Sequence, residues 1–160
     1  MDLYRIILVD DEEEVRQSII RKINWTEAGF QVVGDAENGE DAMEKVEALE
    51  PDLILTDIRM PYMDGLTLAE KVRQKYPSIK IVIFSGYDDF EYARTAMHLR
   101  ALDYILKPID LDAMNRILTN AVSHCRQFHH DKRLMATQLL RNMAVQEAAG
   151  PEGIVLNELD

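Results

Sequence analysis

Short apolar runs alternate with helix-like segments over the first 110 residues of the 160-residue chain. Within each helix-like segment the apolar residues recur every three or four positions, which places them on one face of a helix. Strands that alternate with helices are typical of repeated βα units, whose strands form a parallel sheet with helices on both faces. We therefore predict a doubly wound α/β domain. The predicted strands are Ile6–Val9, Gln31–Val33, Leu53–Thr56, Lys80–Phe84 and Asp103–Leu106.

A different apolar repeat follows the last predicted strand. Two heptad registers, starting at Leu111 and Met114, are apolar at eight of ten positions. The first turns should pack on the sheet as its final helix. The later turns are typical of a coiled coil, although Lys132 and Asn142 weaken the apolar seam. We therefore predict a helix that extends beyond the globular domain.

The C-terminal boundaries follow from this repeat and from the residues that interrupt it. Gly150 and Pro151 should end the helix after residue 149, because proline lacks an amide hydrogen and clashes with the preceding turn. We divide the chain into a globular domain at 1–124, a linker helix and coiled coil at 125–148, and a flexible tail or the start of a missing output region at 149–160.

Composition and charge exclude several classes of protein. The first 110 residues hold 13 Lys and Arg against 23 Asp and Glu, and the whole chain has a formal net charge of −11. Such a surface repels nucleic acid, so a DNA-linked role requires another domain. No apolar run is long enough to span a membrane, and the first residues lack a signal-peptide layout, so we expect a cytoplasmic protein without membrane contact. The single cysteine, Cys125, excludes an internal disulfide and a zinc finger.

Acidic residues end two strands that should be neighbours. Asp10 and Asp11 follow the first strand, and Asp57 follows the third. A 2-1-3 strand order brings these three carboxylates to the sheet edge where doubly wound folds bind ligands. Clustered carboxylates need a cation to balance their charge. Mg²⁺ suits a site with few carboxylates and with coordination positions left open, whereas Ca²⁺ prefers a fuller set of protein ligands. The alternative, that Asp10 and Asp11 only cap the following helix, leaves Asp57 unexplained.

Two further strands end in groups that bind phosphate. Ser85 follows the fourth strand and Lys107 the fifth, which adds a hydroxyl and an ammonium to the same edge. Each is weak evidence alone, but together with the carboxylates they predict a site for a metal ion and a phosphoryl group. The chain has neither G-x-G-x-x-G nor G-K-S/T, which argues against a nucleotide-binding loop.

These residues together resemble the receiver domain of two-component response regulators. The resemblance covers about residues 4–124 and includes the order and approximate spacing of every motif. It implies a flavodoxin-like, five-stranded sheet with the strand order 2-1-3-4-5. The segments that carry it are Asp10-Asp11, Asp57 to Gly65, Ser85-Gly86 and Lys107-Pro108.

The resemblance implies a phosphoacceptor signalling domain and not an enzyme with separate substrates, although such a domain catalyses its own phosphorylation and dephosphorylation. Asp57 would take a phosphoryl group from a histidine of a sensor histidine kinase. Asp10, Asp11, Asp57 and the backbone carbonyl of Arg59 would hold Mg²⁺ as the cofactor.

The resemblance also implies a conformational switch. Lys107 would pair with one phosphoryl oxygen and Ser85 would donate to another, while Tyr104 would turn inward. Lys107-Pro108 resembles the family's cis peptide. The switch would remodel the face formed by the fourth helix, the fifth strand and the fifth helix of the βα units. We expect a homodimer either through that face or through the linker helix.

Finer features are similar to the subfamily that has an arabinose-regulator-type (AraC-type) helix-turn-helix output domain. Only 36 residues follow residue 124, too few for such a domain, so DNA would be contacted only through a domain missing from this chain. The segments that carry this similarity are Ile23–Trp25, Gly29–Gly34 and Gly86–Ala93.

Two other functions are considered. A pseudo-receiver that binds partners without phosphorylation would lack the acidic pair, Asp57 or Lys107, and all of these are present. A phosphatase of the haloacid-dehalogenase type also uses a strand-end Asp nucleophile, but it requires a second Asp two residues later, where this chain has Arg59.

Overall fold

The computed structural model of the chain describes residues 2–86 and 90–157, and side chains are described for all of these except 90, 92, 93 and 146–157. Five parallel strands form a single sheet. The predicted strand order, 2-1-3-4-5, is confirmed. The strands are β1 (Tyr4–Val9), β2 (Phe30–Ala36), β3 (Leu53–Asp57), β4 (Lys80–Ser85) and β5 (Asp103–Leu106).

Helices follow the strands in the expected alternation. Asn38 and Asp64 begin two of them, because their side chains accept hydrogen bonds from the backbone amides of Asp41 and Thr67. The helices are α1 (Glu13–Lys22), α2 (Trp25–Ala28), α3 (Gly39–Leu49), α4 (Gly65–Lys75), α5 (Phe90–His98) and α6 (Leu111–Asn157).

The core consists of two apolar layers, one on each face of the sheet. Alternate side chains of β1 point to opposite layers, so Ile6 and Leu8 join one cluster while Ile7 and Val9 join the other. The first cluster includes residues of α1 and of α6 as far as Cys125. Burial raises the pKa of the Cys125 thiol to about 12. The second cluster includes residues of α3, α4 and α5.

One short helix is absent from the sequence-based prediction. In α2, Asn24 accepts a hydrogen bond from the amide of Glu27, and Gly29 ends the helix with a φ of +97°. The Trp25 indole donates to the carbonyl oxygen of Ile20 at 3.0 Å. Four residues are too few to show a helical apolar period, so α2 becomes visible only in the structure.

The C-terminal helix extends further than the sequence indicates. The chain divides into two compact units, Met1–Cys125 and Arg126–Asp160. The prediction that Gly150 and Pro151 end the helix is wrong, because α6 continues to Asn157. An interior proline costs the helix one hydrogen bond and a clash with the preceding turn, but its fixed φ lies in the helical range, which α6 keeps beyond Pro151. The predicted flexibility of the tail stays a prediction, and residues 158–160 lie outside the described residues.

No helix among the described residues has both the length and the apolar character needed to cross a membrane.

Candidate functional site

The strand register brings the predicted site residues to one edge of the sheet. Thr56 of β3 pairs with Val9 of β1, and Asp57 pairs with Phe84 of β4. Ser85 in turn pairs with Leu106 of β5. The residues at or just after these carboxyl ends therefore face one crevice, as the strand order requires.

Lys107 joins the two most buried carboxylates of this crevice. Its Nζ donates to Asp57 Oδ2 at 3.0 Å and to Asp10 Oδ2 at 3.1 Å. Asp10 is fully buried and Asp57 is 7% exposed. The same ammonium lies 5.0 Å from the centre of the Phe84 ring, within the range of a cation–π contact. One cation thus bridges two carboxylates, one directly after β1 and one at the end of β3, and balances one of their two negative charges.

Burial and charge act in opposite directions on this pair. Burial raises the pKa of the Asp57 carboxyl, and the hydrogen bond and charge of Lys107 offset that effect only in part. Burial lowers the pKa of Lys107, but the hydrogen bond and charge of Asp57, together with Asp10, outweigh it and leave the pKa raised. The ammonium is therefore held in its charged form beside both carboxylates.

Asp10 also belongs to a cluster of three acidic residues. The carboxylates of Asp10, Asp11 and Glu12 lie within 4.8 Å of one another, and Asp57 is not in this group. Partial burial raises the pKa of Asp11, and the neighbouring charge of Asp10 adds to the increase. Three oxygen donors at this spacing fit a hard divalent cation. Sequence analysis did not assign Glu12 to the site, although its place directly after the acidic pair is a usable signal.

Asp10 is held in place by contacts that sequence analysis did not anticipate. The guanidinium of Arg16 on α1 donates to the carbonyl oxygen of Asp10 and to the carboxylate of Asp35, both at 2.8 Å. The Glu12 amide donates to Asp10 Oδ1, also at 2.8 Å. Because Arg16 joins the backbone after β1 to Asp35 of β2, it fixes the position from which Asp10 reaches the crevice.

The loop between β3 and α4 forms one wall of the site. A surface cavity of about 400 Å³ is lined by Asp11 and by loop residues that include Arg59. The predicted ligand residues Asp11 and Arg59 are thus brought to one opening. Asp57 lies at the start of the loop, where its Oδ1 accepts a hydrogen bond from the Ile58 amide at 2.7 Å.

Two glycines bring this loop close to the backbone of its neighbours. Gly65 donates its amide to Ile58 at 2.7 Å, and a Cβ at Gly65 would lie only 1.9 Å from the carbonyl oxygen of Asp57. Gly39 donates to the carbonyl oxygen of Met63 at 3.0 Å, and a Cβ there would lie 2.7 Å from that oxygen. Neither position can hold a larger residue without moving the loop.

Ser85 and Tyr104 lie on the other side of Asp57. The buried Ser85 hydroxyl forms a hydrogen bond with the hydroxyl of half-buried Tyr104. The Lys107 amide donates to the Ser85 carbonyl oxygen at 2.7 Å. The implied cis peptide at Lys107-Pro108 is confirmed. No described atom lies within 4 Å of a Cβ built on Gly86, and residues 87–89 of the subfamily motif lie outside the described residues.

Comparison with known proteins is consistent with this geometry. A family model described as the response regulator receiver domain matches residues 6–119. The chain is 36% identical over 132 residues to the uncharacterized transcriptional regulatory protein YesN of Bacillus subtilis, which covers 82% of this chain and 36% of that protein. The chain spans between about a third and a half of the curated relatives it matches.

Two solved structures with similar sequences share the fold. The receiver (REC) domain of AraT, a response regulator from Geobacillus stearothermophilus, has a TM-score of 0.70 and 34% identity, over 81% of this chain and 98% of that one. A two component transcriptional regulator AraC from Clostridium phytofermentans has a TM-score of 0.66 and 36% identity, over 76% of this chain and 97% of that one.

We predict that Gly65→Ala destabilises the fold by roughly 2–3 kcal/mol, because a methyl group at Gly65 must displace the Asp57 carbonyl. The free energy of unfolding is measured by urea titration. Gly34→Ala is the matched control, since its Cβ would meet only the flexible end of Leu49, at 2.8 Å. An equal loss in both variants would contradict the claim that the backbone approach at Gly65 holds the loop.

Proposed function

The chain belongs to the response regulator receiver domain family, which comprises signalling domains, and from that premise we propose that Asp57 accepts a phosphoryl group from a histidine of a sensor histidine kinase. The observation that carries the proposal is that Asp57 shares the ammonium of Lys107 with Asp10, which also belongs to the acidic cluster with Asp11 and Glu12. A carboxylate that contacts a cation, with acidic residues linked to it through that cation, is suited to bind an incoming phosphoryl group and its metal ion.

In the proposed reaction a carboxylate oxygen of Asp57 attacks the phosphorus of a phosphohistidine. The bond between phosphorus and the imidazole nitrogen breaks as the new oxygen–phosphorus bond forms, and the imidazole leaves with the electron pair. The product is an acyl phosphate on Asp57. The Ile58 amide orients the carboxylate by its hydrogen bond to Oδ1. Hydrolysis of the acyl phosphate by water would return the free carboxylate, so the domain would catalyse both steps on itself.

Receiver domains typically bind Mg²⁺, and the donor set here fits that ion. Asp10, Asp11, Asp57 and the backbone carbonyl of Arg59 would hold it: Asp10 and Asp11 already lie together with Glu12, Asp11 and Arg59 line one opening, and the Asp57 carboxylate would join them from the end of β3. When bound, Mg²⁺ would supply positive charge to the oxygens of the transferred phosphoryl group. Asp10 and Asp11 keep this function only if their carboxylates stay together, and the hydrogen bond from Arg16 to Asp10 supports that arrangement.

The proposed switch starts from the hydrogen bond between Ser85 and Tyr104. The Ser85 hydroxyl would leave Tyr104 and donate to a phosphoryl oxygen, while Lys107 would pair with another oxygen. Loss of its hydroxyl partner would free the Tyr104 ring to turn inward. The surface near Tyr104 on α5, β5 and the start of α6 exposes apolar side chains that could then be rearranged. These exposed residues are Met97, Leu106 and Leu111.

We further propose that this domain controls a transcriptional output domain of the AraC type in a longer cytoplasmic regulator. Two observations support this: the matched relatives include a transcriptional regulatory protein of which this chain covers about a third, and a solved relative is named as an AraC regulator. The net charge of −11 opposes direct contact with nucleic acid. DNA binding would therefore belong to the output domain.

We predict that the chain gains one phosphoryl group when it is incubated with acetyl phosphate and Mg²⁺, and that Asp57→Asn abolishes the gain. An amide is too poor a nucleophile to attack the donor. Intact-mass spectrometry is the measurement, and a chelator should remove the gain by withdrawing the metal. Asp52→Asn, one residue before the same strand, is the control and should label normally. Full labelling of Asp57→Asn would place the acceptor elsewhere.

We predict that Lys107→Ala retains some phosphorylation but loses the conformational response, because the ammonium recognises the phosphoryl group after transfer. Backbone NMR shifts of Ser85 and Tyr104 with and without beryllofluoride are the measurement. Lys71→Ala, an exposed lysine of α4, is the control and should respond like the unmodified chain. The same shifts in Lys107→Ala as in the control would refute the coupling.

The exposed stripe of the second unit motivates a proposal about self-association. Met135 is 73% exposed and Leu139 is 61% exposed, and they lie one helical turn apart in the heptad registers. Apolar positions at this spacing are typical of a helix that pairs with another helix. We propose that α6 pairs with α6 of a second chain, and that phosphorylation shifts this equilibrium by roughly 1–3 kcal/mol.

We predict that Met135→Glu with Leu139→Glu makes the chain monomeric, because the new charges would be buried in the helix pair. Sedimentation velocity over a range of concentrations, with and without beryllofluoride, is the measurement. Thr137→Glu is the control: two positions from Met135, it lies on the opposite side of the helix and should leave association unchanged. A monomer in every sample would exclude the dimer.

A further inference from the structure

A cavity of about 310 Å³ lies at the opposite edge of the sheet from Asp57. It is formed where β4 and β5 begin and where α4 and α5 end, and it is bounded by α6. Its floor is apolar and includes the buried Ile81 and the half-buried Leu102. Its walls carry basic side chains. These are Arg73, Lys80, Arg100 and His124.

Within the part of the chain that the structure describes, the basic side chains of this cavity form no salt bridge. No Asp or Glu is among the residues that line it. Asp52 lies at the same edge but is outside the lining, and its Oδ2 accepts a hydrogen bond from the Arg5 amide at 2.8 Å. The ammonium of Lys80 and the guanidinium groups of Arg73 and Arg100 line one concavity that has no acidic lining residue, and in a chain of net charge −11 this local positive charge attracts an anion.

The backbone at Arg100 adds a second observation. Arg100 has a φ of +62°, and its amide donates to Met97 while the Ala101 amide donates to Ala96, both at 3.1 Å. This pair of hydrogen bonds is the Schellman motif that ends many helices, and its left-handed position is usually glycine. The helix end requires the left-handed φ at this position but does not require an arginine. The arginine therefore carries backbone strain that a glycine would avoid. The side chain, which lines the cavity, is the feature that glycine would lack.

We propose that this cavity binds a small phosphate monoester with an apolar stem. The cavity has the size of small-ligand sites, and it is too small and concave to serve as a protein interface. Guanidinium groups bind phosphate through paired hydrogen bonds, and several positive charges match a dianion better than a monocarboxylate. The apolar floor explains why the ligand carries a stem and is not free phosphate.

The cavity is separate from the proposed phosphorylation site. The two lie at opposite ends of β4, and a strand of six residues spans about 20 Å. Binding is therefore tested in Asp57→Asn with a chelator present, which removes phosphoryl and metal chemistry from the other edge. The inference does not depend on the proposed function, and either can fail alone.

The experiment is an NMR titration of this chain with phenyl phosphate, with inorganic phosphate and phenol as comparison ligands. We expect saturable shifts at residues 79–81, 99–102 and 124 with phenyl phosphate, and weaker binding of the other two, which each lack one part of the ligand. Arg100→Gly should lower the affinity about tenfold, the value of one charge-assisted hydrogen bond. It should also raise Tm, because glycine accepts the left-handed φ.

Two further variants distinguish binding in the cavity from a loss of folding and from a general effect of surface charge. Arg73→Gln removes a second wall cation from the exposed surface of α4, where a change should not affect folding, and it should also weaken binding. Arg116→Gln removes an exposed charge of α6 outside the cavity and should leave the affinity unchanged. Equal loss with Arg116→Gln, equal binding of phenol, lack of saturation, or binding of an acidic peptide instead of phenyl phosphate would each overturn the proposal.

Discussion

One ammonium shared by two buried carboxylates is the interaction on which the site depends. Asp10 and Asp57 come from different strands and lie within hydrogen-bonding distance of Lys107, from a third strand. Without the ammonium, two acids at this depth would repel each other and lose the solvation of water. β1 and β3 must therefore be neighbours, and β5 must end where its last side chains reach across β4. The strand order 2-1-3-4-5 meets both conditions.

In the proposed function, the same interaction would make the site responsive to a phosphoryl group on Asp57. Lys107 is held between Asp10 and Asp57, so a phosphoryl group on Asp57 would compete for its donors. The Lys107 amide also donates to the carbonyl oxygen of Ser85, whose hydroxyl contacts Tyr104. In the proposed function, a change of charge at Asp57 is thus transmitted through two adjacent strand ends to a side chain at the surface. Few groups would need to move, because Asp57 already contacts Lys107, Lys107 contacts Ser85, and Ser85 contacts Tyr104.

Close backbone packing positions the loop between β3 and α4, which forms one wall of the site. Gly65 and Gly39 let the loop after β3 lie against Asp57 and against the start of α3 at distances that no side chain permits. The loop residue Tyr62 has a φ of +68° and is 85% exposed, so its strain is local and its side chain contributes nothing to the core. The loop is thus held by backbone contacts at both ends and by the burial of Ile58, while Arg59 lines the opening beside Asp11.

The sequence by itself determined the strands of the sheet and placed Asp10, Asp57, Ser85 and Lys107 at the carboxyl ends of strands, and the resemblance to receiver domains supplied the strand order. This was possible because short continuous apolar runs mark strands that are buried on both faces, and because parallel strands all end on the same side of the sheet. The residue that follows each strand is therefore placed by topology, without knowledge of any contact.

Only the tertiary structure decided which side chains and backbone groups are in contact, both at the site and in the rest of the fold. The hydrogen bond from Arg16 to the Asp10 carbonyl and the close approach of Gly65 to Asp57 depend on atomic positions that are set to within a few tenths of an ångström. The course of α6 past Pro151 depends on how the backbone accommodates a lost hydrogen bond. The basic cavity joins residues from 73 to 124 that share no motif or period. Periodicity fixes the face on which a side chain lies, but only packing fixes its neighbours across the fold.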